Sequence, residues 1–567
     1  MHDTSSSLIV NPLHKASTWM HALADLGACG KSWFTIYGSN NDVLQSRLKL
    51  IRSTVKTFLE KFGDHPVLIC RTPGRVNLRG MHVDTHGGFL NMMSHQREVV
   101  FVVAVAGEDE CDHHFYSLNH AGLVCVPASN YAVLNQCQNW LEFLANKNKA
   151  TSSANSEGAW GHYLEGALLR LQMMEPSNVQ KTLCGVVGGD IPEGAALSSS
   201  AALCVAVMLG AAALNQVAID NKTLILAARD AEWYTGARTG LGDQSVVVLS
   251  NLESILHGAI HTDTFSPDNF SQIPFPGDLS LVVIDSQTRR SLSGAQRLAY
   301  NRNRFAYSLA MAALRKAATD TGYDRADVAD WNRLSMLTPD QLGSTSHMVN
   351  LLCAIPESIA FDKLAEYLPD VDVMELAQLY FEDRLPDKDE PIHLRGPLLY
   401  ALAESERARV FPGFLATGQY AMAGKLMGVG HDGDRVVAAD GSRFISRCDT
   451  AFLQQHVSLG QPIEMLPGVY GASTNVLDSL VDQALLSGAL GACLTGAGLA
   501  GSVLALCLKK DADTVVSRLR EWMSQDDYLR LVNLEHQAEG FNINDAVLVN
   551  HAIAGASVLP FPGSDEA

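Results

Sequence analysis

A glycine- and serine-rich segment, residues 188–200 (GGDIPEGAALSSS), combines the residue types that bind a phosphate group. The apolar residues 183–187 before it predict a strand, and residues 199–214, rich in Ala, Leu, Val and Met, predict a buried helix. Glycines let the backbone approach phosphate oxygens, and a helix N-terminus supplies free N–H donors with a partial positive charge. The segment matches neither the Walker loop nor the Gly-x-Gly-x-x-Gly fingerprint. It indicates an anion site, although a turn that only caps a helix has a similar composition.

Bulk composition limits the classes of protein that could carry this segment. The chain has 567 residues, 47% of them hydrophobic and 18% charged, and it is longer than one core supports, so we expect two domains. The formal net charge is −19, so the chain lacks the excess of basic residues that is typical of a nucleic-acid binder. The 11 cysteines are scattered without a Cys-x-x-Cys pair. Residues 1–10 lack the pattern of a secretory signal, and the apolar runs along the chain are too short to span a membrane. We expect a cytoplasmic protein with reduced thiols and with neither nucleic-acid nor membrane partners.

Periodicity along the chain predicts the elements that position the segment. Predicted strands are residues 66–70, 98–106, 183–187 and 279–286, and predicted helices are residues 46–62, 199–214 and 294–317. A Gly/Pro-containing turn is expected at residues 72–75 and a frayed tail at residues 560–567. The predicted organisation is an N-terminal extension (1–45), a first domain (46–279) and a second domain (280–567) with a helical insertion at about residues 320–395.

Six segments, in order along the chain, resemble the GHMP kinases and most of all the galactokinases. Residues 192–203 (PEGAALSSSAAL) resemble the second signature motif of that family. Residues 71–88 are similar to the galactokinase signature, residues 160–166 to its Trp/Tyr/Gly helix, and residues 236–244 to the segment that carries the catalytic Asp. Residues 285–292 with 300–304 are similar to the start of the C-terminal domain, and residues 494–501 to the third, glycine-rich motif. The resemblance covers about residues 60–510 and leaves residues 1–45 and 320–395 outside.

This resemblance implies a fold and an activity. The expected fold is α+β, with an N-terminal domain like ribosomal protein S5, a C-terminal ferredoxin-like α/β sandwich and the helical insertion. The expected activity is transfer of the γ-phosphoryl group of ATP to the anomeric (C1) hydroxyl of a galactose-like sugar. Asp243 matches the family's catalytic base facing the sugar O1, and Arg75 matches the Arg that accompanies it and steadies the phosphoryl oxygens. Judged from local sequence alone, Asp243 is typical of a turn, and Arg75 suits a structural ion pair.

The resemblance also implies the ATP and Mg²⁺ ligands. The expected nucleotide-binding residues are Pro192, Glu193, Gly194, Ala195, Ala196, Leu197, Ser198, Ser199 and Ser200, with Gly496 and Gly498. Ser200 and Glu232 are the expected metal ligands, because Mg²⁺ prefers oxygen donors. The run from Glu232 to Gly236 is one residue shorter than the usual galactokinase spacing, and one residue turns a helical side chain by about 100°. Asp230 is therefore an alternative ligand.

The expected sugar-binding residues include one departure from the galactokinase pattern. The matching positions are His82, Asp84, Gly240 and Tyr300, with Met81 beside them. Galactokinases carry Gly-Glu-His where this chain has Gly80-Met81-His82, and that Glu is the partner of the C6 hydroxyl. Met81 accepts no strong hydrogen bond, so a buried C6 hydroxyl would lose roughly 1–3 kcal/mol. We expect a sugar altered at C6 (a uronate, a 6-deoxy sugar or a pentose), with Arg79 available to an anion; plain galactose is the alternative.

Other functions are compatible with the same motifs. A galactokinase-like sugar and ATP sensor would share the fold without turnover, but Ser198, Asp243 and Arg75 are all present. A GHMP kinase acting on a non-sugar alcohol is disfavoured by His82 and Asp84. The sequence leaves the oligomeric state open and slightly favours a monomer.

Overall fold

The N-terminal half contains eight strands and nine helices among the residues that the structure describes. The computed structural model describes residues 13–24, 30–127, 130–134, 136–150, 160–236, 239–289, 294–381, 385–534 and 542–562. The strands are β1 (His14–Lys15), β2 (Pro66–Arg79), β3 (Phe89–Val105), β4 (His113–Ser117), β5 (Val124–Val126), β6 (Leu183–Gly189), β7 (Ser254–Ala259) and β8 (Phe270–Pro274). The helices are α1 (Ala16–Ala22), α2 (Gly30–Tyr37), α3 (Asn41–Phe62), α4 (Asn130–Leu134), α5 (Trp140–Ala150), α6 (Gly161–Met174), α7 (Ser199–Leu214), α8 (Asn221–Trp233) and α9 (Gly242–Leu249).

The C-terminal half is richer in helix. Its strands are β9 (Leu279–Asp285), β10 (Ser358–Ala360), β11 (Pro391–His393), β12 (Gly491–Leu494), β13 (Ser502–Leu508), β14 (Val547–Val549) and β15 (Ser557–Val558). Its helices are α10 (Gly294–Asp320), α11 (Arg325–Ala329), α12 (Thr345–Ala354), α13 (Leu364–Tyr367), α14 (Val373–Phe381), α15 (Arg395–Ala416), α16 (Tyr420–Asp434), α17 (Thr450–Ser458), α18 (Asn475–Leu486), α19 (Ala512–Met523), α20 (Asp526–Leu534) and α21 (Ile543–Ala546). No helix within the described ranges is both long enough and apolar enough to cross a membrane.

Two main sheets organise these elements. The larger has the order β1-β2-β3-β6-β4-β5, with β15 added to β2 and the pair β7–β8 added to β3. The smaller has the order β12-β13-β9-β14, and all of its pairings are antiparallel. The expected α+β architecture with two domains of the GHMP kinase type is confirmed.

Both faces of the larger sheet are covered by helices, which explains why its two long strands, β2 and β3, are almost wholly buried. Along β3, Val100 and Val102 pack into the cluster formed by α1–α3. The alternate residues Phe101 and Val103 face the opposite side, where they come close to Gly210 of α7. Helix α7 is buried at every position from Ala201 to Leu214, as expected for a helix that is apolar on all sides. This central position fixes the helix that follows the glycine- and serine-rich loop.

The structure corrects several boundaries. The turn expected at residues 72–75 is wrong, because β2 continues to Arg79 and takes up Pro73 and Gly74 in a β-bulge. The expected tail is ordered through residue 562, since Trp33 Nε1 donates to the Pro560 carbonyl at 3.2 Å and Phe561 stacks on His14; residues 563–567 lie outside the described ranges. The region 320–395 contains α11–α14 and also the antiparallel strand pair β10–β11, which the sequence did not predict.

The N-terminal segment packs on the rest of the chain. Helix α3 begins at Asn41, earlier than predicted, because the Asn40 side chain caps it by accepting from the N–H groups of Asp42 and Val43. Strand β1 pairs with β2, and α1–α3 cover the outer face of the larger sheet. The described part of the N-terminal extension is therefore integral to the first domain.

Candidate active site

The glycine- and serine-rich loop connects β6 to α7 in a strained conformation. Gly194, Ala196 and Ser198 have φ values of 69°, 60° and 63°, in the left-handed region that is costly for residues with a side chain. The loop is held from below by β2, where the Arg75 N–H donates to the Leu197 carbonyl at 3.1 Å. A Cβ at Gly74 would lie only 2.9 Å from the same carbonyl oxygen, so glycine permits this close approach. Helix α7 begins directly after this loop, and the side chain of its N-cap residue, Ser198, makes no capping hydrogen bond.

Asp243 lies in the first turn of α9 and faces the loop. Arg75 Nε is 2.7 Å from Asp243 Oδ1, and Arg75 Nη2 is 2.8 Å from Oδ2. Ser198 Oγ donates to Oδ2 at 2.5 Å, and Arg75 Nη1 donates to the Ala196 carbonyl. The Arg75 side chain is 6% exposed and that of Asp243 is 31% exposed. The carboxylate is therefore fixed in orientation yet reachable from solvent.

The third glycine-rich motif closes the other side of the loop. Gly496 has a φ of 73°, and a Cβ there would lie 2.9 Å from the Ala196 carbonyl oxygen and 3.3 Å from Arg75 Nη2. Just beyond this motif, Ser502 Oγ donates to the Ala195 carbonyl at 2.8 Å. Gly498, with a φ of 69°, approaches Ala472 instead. The motif thus packs against the glycine- and serine-rich loop and supports it from the second domain.

Glu232, on α8, lies against the start of α7. Ser200 Oγ donates to Glu232 Oε1 at 2.5 Å, while Thr239 and Gln244 donate to Oε2 at 3.1 and 2.5 Å. Burial raises the pKa of the Glu232 carboxyl; the Ser200 hydrogen bond opposes the rise and the charge of Asp243 adds to it. A hydroxyl and a carboxylate close to a second carboxylate form an oxygen-rich, electronegative position suited to a hard cation.

Asp230, the alternative metal ligand, points elsewhere. Its carboxylate pairs with Arg170 Nε at 3.0 Å and with Arg229 Nη2 at 2.6 Å. The geometry therefore brings Glu232, and not Asp230, to Ser200. Among the described residues no three His, Cys, Asp or Glu side chains form a metal site by themselves. Mg²⁺ in kinases commonly uses only one or two carboxylates and takes its other ligands from substrate phosphates and water.

Asp84 lies against Gly240 and Gly242, just before Asp243 in the chain. A Cβ at Gly240 would overlap Asp84 Oδ2, so only glycine fits there. Burial raises the pKa of the Asp84 carboxyl, and the charge of Asp243 raises it further, whereas Arg304 and the N–H of Gly242 oppose the rise. The half-buried Asp84 carboxylate is therefore near enough to Asp243 to be affected by its charge.

His82 has the left-handed φ of 63° and an enclosed side chain. Its ring stacks on Tyr470 with centroids 4.2 Å apart, and its Nε2 lies 3.4 Å from Asp434 Oδ1. Asp434 is fully buried at the end of α16 and also accepts from Tyr400 Oη at 2.9 Å. Sequence reasoning missed Asp434 and the two tyrosines, because they lie more than 300 residues from His82 and match no local motif.

Met81 and Arg79 point into the core. Met81 is fully buried, and its sulfur lies 3.9 Å from Arg79 Nη2. Arg79 is also fully buried, where it pairs with Glu404 at 3.2 Å and donates to the Leu426 carbonyl at 2.9 Å. The expectation that Arg79 is available to an anion is therefore wrong, because its charge is already used inside the protein.

The remaining expected residue, Tyr300, lies within α10, and its side chain is outside the described part of the structure. One turn further along α10, Arg304 acts on the same region. Its positive charge partly offsets the rise in the pKa of Asp84. Burial together with the charge of Arg304 lowers the pKa of His86 to about 3. Helix α10 therefore adds positive charge beside the Asp84 carboxylate.

Comparison with known families identifies the class of protein. The chain matches the GHMP kinases N terminal domain over residues 162–251 and the GHMP kinases C terminal domain over residues 451–525. It also matches the galactokinase galactose-binding signature over residues 56–105. The solved structure of Lactococcus lactis galactokinase complexed with galactose has the same fold, with a TM-score of 0.56 and 17% identity over 88% of this chain and 98% of that one. The chain is therefore similar to the GHMP kinases in both of the domains that define that family.

Relatives of known class narrow this assignment. A galactokinase of Clostridium perfringens is 23% identical over 466 residues, which span 82% of this chain and 91% of the relative. A galactokinase of Roseiflexus is 28% identical over 271 residues, 46% of this chain, and that match spans 58% of the relative's length. These similarities support a galactokinase-like sugar kinase.

Proposed function

We propose that the chain transfers the γ-phosphoryl group of ATP to the anomeric hydroxyl of a galactose-like monosaccharide. The observation that carries this proposal is that Asp243 contacts the glycine- and serine-rich loop and also lies close to Asp84. Ser198 of the loop donates to the Asp243 carboxylate, and Asp84 lies against Gly240 and Gly242, just before Asp243 in the chain. A hydroxyl bound near Asp84 would meet a phosphoryl group held by the loop at the Asp243 carboxylate.

Each side chain then has a distinct task. Asp84 accepts hydrogen bonds from ring hydroxyls and orients the sugar. Asp243 accepts the proton of the attacking hydroxyl at a carboxylate oxygen, and Arg75 holds that carboxylate and stabilises negative charge on the moving phosphoryl group. The backbone N–H groups at the start of α7 hold the nucleotide phosphates. Positioning and electrostatic stabilisation are the main needs of phosphoryl transfer.

Ser200 and Glu232 are proposed as the Mg²⁺ ligands. Their oxygens meet at 2.5 Å, and a cation would relieve the cost of ionising buried Glu232 near Asp243. When bound there, Mg²⁺ neutralises charge on the nucleotide phosphates. We propose a monomer as the functional unit, working in the cytoplasm.

We further propose that the preferred sugar is altered at C6. Position 81, where galactokinases carry a Glu, holds an apolar side chain that is fully buried, so it offers no acceptor to a C6 hydroxyl. A uronate, a 6-deoxy sugar or a pentose lacks that hydroxyl and would avoid the penalty of about 1–3 kcal/mol. Plain galactose, bound with a weaker C6 contact, is the second candidate and is favoured by the galactokinase relatives.

A coupled ADP-release assay over galactose, galacturonate, fucose and arabinose tests both statements. The expected result is turnover of at least one sugar, with the highest kcat/KM for a C6-altered substrate. A clear preference for galactose would reject the C6 proposal and keep the kinase. Binding of a sugar and ATP without any ADP release would reject the kinase and leave a sugar and ATP sensor.

A further inference from the structure

Three charged side chains are fully buried directly beneath the proposed sugar-binding turn. Arg79 ends β2, and Glu404 and Arg407 lie one turn apart on α15. Glu404 Oε2 is 3.2 Å from Arg79 Nη1 and 2.6 Å from Arg407 Nε. Arg407 also donates to the Glu464 and Leu466 carbonyls at 3.0 and 2.7 Å. The cluster joins the first domain to helices of the second.

The other oxygen of Glu404 contacts the turn itself. Glu404 Oε1 accepts from the Gly80 N–H at 2.6 Å and from the Met81 N–H at 3.3 Å. The chain here leaves β2 through two left-handed residues, Gly80 with a φ of 90° and His82 with a φ of 63°. Without this acceptor, two buried N–H groups would lose their hydrogen-bond partner. One carboxylate therefore stabilises an unusual backbone path.

Helix α16 seals the cluster from the opposite side. A Cβ at Gly430 would overlap Arg79 Nη1 and lie 2.8 Å from Glu404 Oε2. Because Gly430 has no side chain, α16 packs directly against the Arg79–Glu404 ion pair. The arrangement leaves the Glu404 carboxylate no contact with solvent, so it has no route to a substrate.

We propose that Glu404 is a positioning residue for sugar binding. Its carboxylate holds residues 80–81 so that His82 and Asp84 face the sugar, and it ties α15 of the second domain to that turn. A buried ion cluster is weak evidence for added stability, since an apolar replacement is often as stable. The two backbone contacts at the turn favour a role in geometry instead. This inference rests on the proposed sugar kinase function.

Glu404→Met, which removes both carboxylate acceptors, tests the inference, with Glu406→Met on the same helix as the matched control. Glu406 is nearly buried but pairs with Arg409, away from the turn. Two readouts are needed: amide hydrogen exchange of peptides covering residues 79–84, and KM values for sugar and for ATP. Glu404→Met should speed exchange in that peptide at least tenfold and raise the sugar KM about tenfold, with the ATP KM changed less than twofold. Glu406→Met should change none of these.

Unchanged exchange at residues 79–84 would overturn the inference, and so would equal changes in the two KM values. If the wild type phosphorylates no sugar, the exchange readout still scores the turn, so the two failures are distinguishable. Gly430→Ala supplies a second variant that pushes on Arg79 and Glu404 without altering a charge. If Glu404→Met does not fold, the same pattern is expected of Gly430→Ala, and normal exchange and sugar KM in it would contradict the proposal.

Discussion

Arg75 and Asp243 meet through two nearly equal hydrogen bonds, 2.7 Å from Nε to Oδ1 and 2.8 Å from Nη2 to Oδ2. A two-point contact of this kind fixes the plane of the carboxylate as well as its position. Ser198 adds a third contact from the loop. Strand β2, the loop before α7 and the first turn of α9 are therefore coupled through one carboxylate group, which is the centre of the proposed site.

Asp243→Asn should abolish turnover and spare ATP binding. The amide keeps the size of the side chain but cannot take a proton from the sugar hydroxyl. General-base catalysis typically contributes about 10²–10⁴ to the rate, so kcat should fall by at least two orders of magnitude. Steady-state kinetics with calorimetric ATP binding checks this. A variant that keeps a tenth of the wild-type kcat would remove Asp243 from its role.

Glu232→Gln should raise the Mg²⁺ concentration for half-maximal activity about tenfold. The amide is a weaker cation ligand than the carboxylate that meets Ser200. Asp230→Asn is the matched control on the same helix, since Asp230 pairs with Arg170 and Arg229. It should lower thermal stability without changing the Mg²⁺ requirement. The reverse pattern in a metal titration of the two variants would assign the metal to Asp230.

Asp84→Asn should stabilise the protein at neutral pH while removing sugar binding. Because burial and Asp243 raise the pKa of Asp84, the folded chain holds this proton more tightly than the unfolded chain. The penalty for ionised Asp84 therefore grows as the pH rises from the ordinary Asp value of 3.8 through the raised value. The variant should gain roughly 0.5–2 kcal/mol at pH 7 and nothing at about pH 3.

Denaturant unfolding at the two pH values measures this difference. Asp263, which is exposed, provides the control Asp263→Asn, expected to change stability by less than about 0.5 kcal/mol at either pH. An Asp84→Asn variant less stable than wild type at pH 7 would mean that the carboxylate is a net stabilising group.

Arg47→Met should destabilise the first domain by about 3 kcal/mol. Arg47 is buried on α3, where it pairs with Asp190, the first residue after β6, and lies 3.9 Å from Glu98. Removing it leaves Asp190 without its cation, whereas Glu98 keeps its ion pair with Arg71. Lys56→Met breaks an exposed pair with Glu60 on the same helix and should cost at most about 0.5 kcal/mol. Equal losses in chemical denaturation would show that the buried pair contributes no more than the exposed one.

Local sequence was sufficient where an element's own residues determine its structure. Helix α7 spans the predicted residues 199–214, because an uninterrupted apolar run after a serine cluster has few other conformations. The turn expected at residues 72–75 failed for the opposite reason. Pro73 and Gly74 are turn formers locally, but pairing of β2 with β3 on both sides turns them into a bulge.

The contacts that complete the site were beyond local reasoning. Arg79 looked available for an anion, yet its partner Glu404 is 325 residues away and lies in an ordinary-looking helical segment. Asp434 likewise reaches His82 from the end of α16. Motif spacing could suggest which residues face a substrate, but it could not show which of them are already paired through long-range packing.

The most direct test of the central claim is identification of the product formed from ATP, Mg²⁺ and the best sugar of the panel. Phosphorus and proton magnetic resonance should show one phosphomonoester coupled to the anomeric proton, in equal amount to ADP, and neither product should form with Asp243→Asn. Phosphate on another carbon, or tight sugar binding with no ADP, would contradict the account.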